Sequence, residues 1–138
     1  MQHSILKQKR MERKITSSGV ILGMTAIILG AFGAHALKKV LTAEELVTFE
    51  TGVKYQMYHA LFLLFLGMTS LVNEKVKKSI FKLIVVGVVF FSGSIYILAT
   101  KTVTGIDFRP LGIVTPVGGT LLIIGWVLLL WNLTLRQK

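Results

Sequence analysis

Apolar positions in this chain come in long unbroken blocks rather than in alternation with polar ones. No Asp, Glu, Lys or Arg occurs in the 23 residues between Lys14 and Lys38, or in the 19 between Lys54 and Glu74. The same holds for the 18 residues between Lys82 and Lys101 and the 26 between Arg109 and Arg136. A helix on a water-facing surface shows a polar stripe every turn or two. Here the stripe is missing for about five turns at a time. A bilayer core about 30 Å thick is crossed by about 20 helical residues. The pattern predicts four transmembrane helices, over residues 16–37, 55–72, 80–99 and 111–133, with Lys82 reaching back to the headgroups. In hydrocarbon the backbone must satisfy its own hydrogen bonds, which these lengths do as helices. A transmembrane barrel would show alternating segments of about 10 residues instead.

The predicted fold class is all-α, an integral membrane four-helix bundle. Residues 1–15 read as a basic cytoplasmic tail, 16–135 as one transmembrane domain and 136–138 as a second short tail. The first loop carries its own signal. Thr42-Ala43-Glu44-Glu45 matches a capping box, in which Thr42 accepts from the Glu45 N–H and Glu45 reaches back to the Thr42 N–H. A short extra helix, or an extension of the second span, therefore starts at Ala43. The pattern leaves open whether Gly52 breaks it.

Composition and charge change this picture only in orientation. The chain has 138 residues, 53% of them hydrophobic, and a formal charge of +10. Its Lys and Arg flank apolar spans and are not interleaved with stacking aromatics, so no nucleic-acid partner is expected. Counting Lys and Arg alone, eleven fall in the N-terminal tail, the turn between spans two and three, and the C-terminus. Five fall in the first and third loops. The positive-inside rule then puts both termini in the cytoplasm, in a multi-pass protein of the plasma membrane, with anionic lipids beside the basic side. Ala34-His35-Ala36 imitates a secretory cleavage site. The apolar block before it exceeds the 7–15 residues of a signal h-region, so retention is expected. Cysteine is absent, which removes disulfides, thiolate metal sites and cysteine nucleophiles.

Helices in lipid associate by close backbone approach and interhelical hydrogen bonds. On span one Gly19, Gly23, Ala26, Gly30, Gly33 and Ala34 fall on one arc at helical spacing. This is a packing face, within the bundle first and toward a second copy as the alternative. Thr115, Gly118, Gly125 and Asn132 make a smaller such face on span four. The remaining candidates for chemistry are polar residues inside the spans: His35, Gln56, His59, Ser92, Tyr96 and Thr115. With the termini inside, all six lie toward the outer ends of their helices, while the inner halves are nearly pure aliphatic.

No motif assigns this cluster a reaction. The chain has no G-x-S-x-G, H-E-x-x-H, Walker-A or G-x-G-x-x-G pattern. No carboxylate sits deep in a span, as a proton-coupled exporter would require. Enzymatic activity, a metal site and a bound cofactor are not expected. Three functions stay in play. The first is a structural or accessory role in assembling a larger complex, with a membrane-protein partner or a second copy. The second is a small transport or channel unit that uses the outer polar cluster. The third, a lesser alternative, is a redox module with haem held by His35 and His59.

Four ordered blocks resemble a known family. They are Gly30-Ala31-Phe32-Gly33-Ala34-His35-Ala36-Leu37; the run from Phe49-Glu50-Thr51-Gly52 through Tyr58-His59-Ala60-Leu61; Phe91-Ser92-Gly93-Ser94-Ile95-Tyr96; and Thr115-Pro116-Val117-Gly118-Gly119. Together they resemble the domain of unknown function 423, a group of small bacterial membrane proteins with a mitochondrial transmembrane relative in animals. The resemblance runs from about Ser17 to Leu135. It implies a four-helix protein of the cytoplasmic membrane and brings no activity, ligand or functional residue.

Overall fold

The computed structural model describes residues 2–135, so Met1 and the basic residues Arg136 and Lys138 lie outside the described residues. The order of elements is α1 (Gln2–His35), a 3-10 turn (Leu37–Lys39), α2 (Ala43–Met68), α3 (Glu74–Ala99), α4 (Lys101–Thr104) and α5 (Leu111–Leu135). The fold is all-α, with no strand among the described residues. Two ends are convenient to name. The tail end holds the start of α1, the α2–α3 turn and the finish of α5. The loop end holds the 3-10 turn and α4.

Three helical segments are long and apolar enough to cross a membrane: Gln2–Lys39, Glu74–Ala99 and Leu111–Leu135. Only 17%, 39% and 22% of their apolar windows are buried, so most of this surface faces outward. Ile27, Phe32, Val89, Ile113, Ile123 and Leu130 are among the large apolar side chains left exposed. A soluble monomer rarely shows apolar surface on this scale. The fourth long helix, α2, falls short in hydropathy because its N-terminal half carries Glu44, Glu45, Glu50 and Lys54, and Gln56 and His59 follow in the next turn.

Two features differ in extent from the sequence expectation. The basic stretch before Thr16 is helical from Gln2 and continuous with the first span in α1. Tertiary packing holds its last turn. Ile15 is fully buried, Met11 packs against the core, and Glu12 accepts from the buried Lys77 ammonium at 3.2 Å. In the first loop the capping box forms, with Thr42 N–H to Glu45 Oε2 at 2.9 Å and Glu45 N–H to Thr42 Oγ1 at 3.2 Å. The helix it starts runs through Gly52 without a break and ends at Met68, four residues short of the predicted end.

Sequential neighbours pack side by side: α1 along α2, α2 against α3, and α3 along α5, while α1 and α5 do not meet. In each hairpin the close approach rests on small residues. Gly19, Ala26 and Gly33 are the buried positions of α1 after Ile15, spaced by seven. Gly118, Gly125 and Asn132 are buried on α5 at the same spacing, interleaved with Leu122 and Leu129. A seven-residue repeat keeps one seam facing the partner helix with left-handed packing. A Cβ on Gly19 would stand 2.8 Å from the Ala60 carbonyl oxygen. One on Gly118 would fall on the Phe91 backbone nitrogen and 2.8 Å from the Phe90 carbonyl carbon. Gly23 and Gly30 are only half-buried, with Ala60 and Val53 at ordinary contact distance. Ala34, expected on the same face, is exposed, because one residue turns the helix about 100° beyond buried Gly33.

The core has two parts. The larger, toward the tail end, joins Ile15, Leu63, Leu66, Ile80, Ile84, Leu122 and Leu129. The smaller, at the loop end, joins Leu37, Leu41, Phe49 and Ala99. Between α3 and α5 the chain makes the short helix α4 and ends it at Gly105, whose φ of 69° is left-handed and which donates its N–H to the Lys101 carbonyl.

Candidate functional site

Gln56 is the hub of a polar network in the loop-end half. It lies one turn after Gly52 on α2 and is buried between three helices. Its amide nitrogen donates to the Leu22 carbonyl at 3.0 Å and to Thr25 Oγ1 at 2.8 Å, both on α1. Its amide oxygen accepts from the Tyr96 hydroxyl of α3 at 2.7 Å. Beside it, buried Ser92 donates to the Gly52 carbonyl at 2.8 Å. Gly52 is needed here for space, since a Cβ would stand 2.7 Å from the Tyr96 ring. Phe49 completes the wall, with its ring 5.0 Å from that of Tyr96.

His59, one turn further along α2, reaches toward α5 instead. Its Nδ1 lies 2.7 Å from the Tyr55 carbonyl, and its Nε2 accepts from the Trp126 indole N–H at 3.2 Å. A carbonyl can only accept and an indole N–H can only donate. The ring is therefore the neutral tautomer with its proton on Nδ1, and neither nitrogen is free to bind a metal. Phe62 packs edge-on against Trp126 at 4.5 Å and Phe91 against Tyr55 at 4.9 Å, which fills the space around the ring with aromatic surface.

Of the six polar candidates, the fold joins Gln56, Ser92 and Tyr96 directly. Thr115 pairs separately with Ser94 at 2.6 Å across α3 and α5. His59 belongs to the aromatic group with Trp126. His35 joins none of these and is exposed at the end of α1. The antiparallel register explains why. Gly33 packs on Phe49, ten residues before His59, which puts His35 about 15 Å or more along the helix axis from it. The two histidines share no site. Among the described residues no buried side-chain nitrogen or oxygen lacks a partner.

Several partners escape a reading of the sequence. Trp126 is 67 residues from His59 and carries no local signal of the pairing. Thr25 stands out in sequence as an exception among aliphatic residues, but nothing local signals its pairing with Gln56, 31 residues away. Asn132 accepts from the Asn73 N–H at 3.3 Å and so ties the end of α5 to the cap of α3. Asn73 in turn caps α3 through the Lys75 N–H at 3.0 Å. The Lys77–Glu12 pair exists only because the basic stretch is helical and folds over α3.

At the loop end Glu45 accepts from the Thr102 hydroxyl, linking α2 to α4. That hydrogen bond, followed by the one from the Thr42 N–H, holds the Glu45 carboxyl below its ordinary range.

An apolar exterior, glycine seams and an internally paired polar network define a small helical membrane protein. Residues 29–119 match the family described as protein of unknown function (DUF423). A UPF0382 membrane protein of Staphylococcus saprophyticus is 42% identical over 111 residues, covering 80% of this chain and 88% of the relative. A UPF0382 membrane protein of Haemophilus influenzae is 34% identical over 122 residues, covering 88% of this chain and 94% of the relative. The UPF0382 inner membrane protein YgdD of Escherichia coli is 37% identical over 115 residues, covering 80% of this chain and 81% of the relative. No solved structure matches. The chain belongs to the DUF423 family. The matched segment holds Gln56, His59, Ser92, Tyr96 and Thr115, and leaves out Leu22, Thr25 and Trp126.

Proposed function

We propose that this protein is a multi-pass protein of the cytoplasmic membrane whose four long helices all cross the bilayer, with both termini in the cytoplasm. Its role is structural or accessory, in an assembly with a membrane-protein partner or a second copy. The observation that carries this reading is the closed polar network. Gln56 ties α1, α2 and α3 together, and every buried polar group among the described residues is already paired. A solute path needs lining groups with bonds to offer, and a haem needs a free imidazole nitrogen. Neither is left by this network, whereas fixing helix positions needs only the bonds it makes. α2 qualifies as a span because Gln56 and His59, its polar residues nearest mid-helix, are buried in the bundle, while exposed Glu44, Glu50 and Lys54 lie toward its loop end. The helix lengths support crossing by all four, at about 38 Å for 25 residues.

Two experiments test the two parts. The chain has no cysteine, so single replacements report cleanly on sidedness. Ser4→Cys should be labelled by an impermeant maleimide only after lysis, and Thr104→Cys in intact cells. Labelling of Ser4→Cys in intact cells overturns the orientation. Crosslinking in native membranes with mass analysis should recover a stoichiometric partner or homo-oligomer. A lone monomer throughout overturns the assembly role. Solute flux in proteoliposomes that falls with Gln56→Ala would replace it with the transport reading.

A further inference from the structure

At the tail end α1 overhangs the start of α3, and between them lies a groove of about 850 Å³. It is lined by Lys7, Arg10, Arg13 and Lys14 from α1 and by Lys75 and Lys78 from α3, with Glu74 the single carboxylate. On α1 the residues 7, 10 and 14 recur at helical spacing and so share a face. Glu12, the one acid on this part of α1, does not neutralise them. It is engaged by Lys77, which is buried beneath the overhang. That ion pair is the only one among the described residues, so none of the six groove cations has a carboxylate partner there. Met11 contributes apolar surface to the same groove and packs on the core. One turn beyond Ser17, which also lines the groove, the exposed apolar residues Val20, Ile21 and Met24 begin.

We propose that this groove binds the headgroup of an anionic phospholipid carrying two phosphates, of the diphosphatidylglycerol type. Six cations from two helices exceed what one monoanionic headgroup can engage. Arg offers paired N–H donors to phosphate oxygens, and Lys adds compact charge. The apolar surface that starts at the groove's edge gives the acyl chains somewhere to lie. A free polyphosphate would gain nothing from that surface. The proposal rests on the membrane-crossing reading. It adds a defined lipid site to the general attraction of a basic face for anionic lipid.

The test uses the full chain in nanodiscs of phosphatidylcholine doped with diphosphatidylglycerol, or with phosphatidylglycerol at equal total charge. Native mass spectrometry then measures the lipid retained. Wild type should keep diphosphatidylglycerol in preference to phosphatidylglycerol. The triple variant Arg10→Gln, Lys14→Gln, Lys78→Gln should lose retention on the order of a hundredfold, about fivefold per cation. Arg10→Lys with Lys14→Arg keeps the charge and should keep the lipid. Lys54→Gln with Lys101→Gln removes two cations away from the groove and should change nothing. Equal retention of both lipids, or equal loss from the groove and distant variants, overturns the site. Binding of inorganic pyrophosphate in solution with no lipid preference overturns the lipid assignment. Sidedness labelling is read in separate cells, so a failure of topology is told apart from a failure of the site.

Discussion

The two hairpins and the seam that joins them differ in what does most of the holding. Within α1/α2 and α3/α5, small residues recur every seven positions and backbones nearly touch. Between α2 and α3 the helices are joined through larger side chains: Gln56, Ser92, Tyr96, Phe49, Tyr55 and Phe91. Lipid supplies no hydrophobic drive for helix association, so each contact must rest on dispersion or on hydrogen bonds. The hairpins rest chiefly on the first, summed over many atoms in close contact, with the bonds from Gln56 to α1 and the Ser94–Thr115 pair beside it. The central seam uses the second, concentrated in a few groups.

This contrast can be broken at its strong side first. Gly118→Val should destabilise by about 3 kcal/mol or more, since the new atoms collide with the α3 backbone and no rotamer relieves that. Unfolding in mixed detergent, read by tryptophan fluorescence, measures it, and a normal midpoint would mean that α5 does not pack this way. Next comes the polar seam. Gln56→Leu leaves the Tyr96 hydroxyl and Thr25 without their partner and should cost about 1–2 kcal/mol. Tyr96→Phe removes one bond and should cost about 0.6 kcal/mol. A larger loss for Gln56→Leu than for Gly118→Val would reverse the ranking of the two seams. Gly93 sharpens the comparison from the other direction. It is a helical glycine with nothing within 4 Å of a built Cβ, so Gly93→Ala should be neutral or stabilise by up to about 1 kcal/mol.

The smallest effect is in pH. Glu45 is partly exposed, and its carboxyl is held below its ordinary range by Thr102 and Thr42. A lowered carboxylate contributes stability above its unfolded value and loses it as pH falls through the folded one. The thermal midpoint of wild type should therefore slip on the acid side of the ordinary carboxylate range. Glu45→Gln, which has no charge to lose, should flatten that part of the profile. Parallel profiles would mean that the link from α2 to α4 does not depend on charge.

How much of the molecule is legible along the chain depends on the range of the interaction. The charge-free blocks mark each of the four long helices, α2 over its second half only, because hydropathy is a local sum. Thr42 and Glu45 mark the start of α2 because a capping box closes within four residues. Gly19, Ala26 and Gly33 belong to a packing face visible in the sequence for the same reason, although helical spacing alone does not separate them from Gly23, Gly30 and Ala34. The hydrogen bond from Trp126 to His59 is different in kind. It depends on the register of α5 against α2, two helices whose backbones do not pack together. A pairing of His35 with His59 fails on register too. Both lie toward one end of their helices, but the Gly33–Phe49 contact sets the α1–α2 alignment and separates them. Lys77 reads in sequence as one more surface charge, since the overhang that buries it belongs to a stretch that reads as a tail.

The order of contacts along the chain also bears on biosynthesis. α1 closes on α2 before any residue of α3 is required, and α3 closes on α5 with no contact to α1 beyond a narrow strip. Each hairpin can thus be complete as soon as its second helix has been made. The last stage is then the docking of two finished halves within one polypeptide. Gln56 stands at that meeting point with its amide nitrogen already committed to α1 and its amide oxygen waiting for Tyr96. The amide thereby serves as the recognition element of that stage, offering the late-arriving half a single acceptor at a fixed depth.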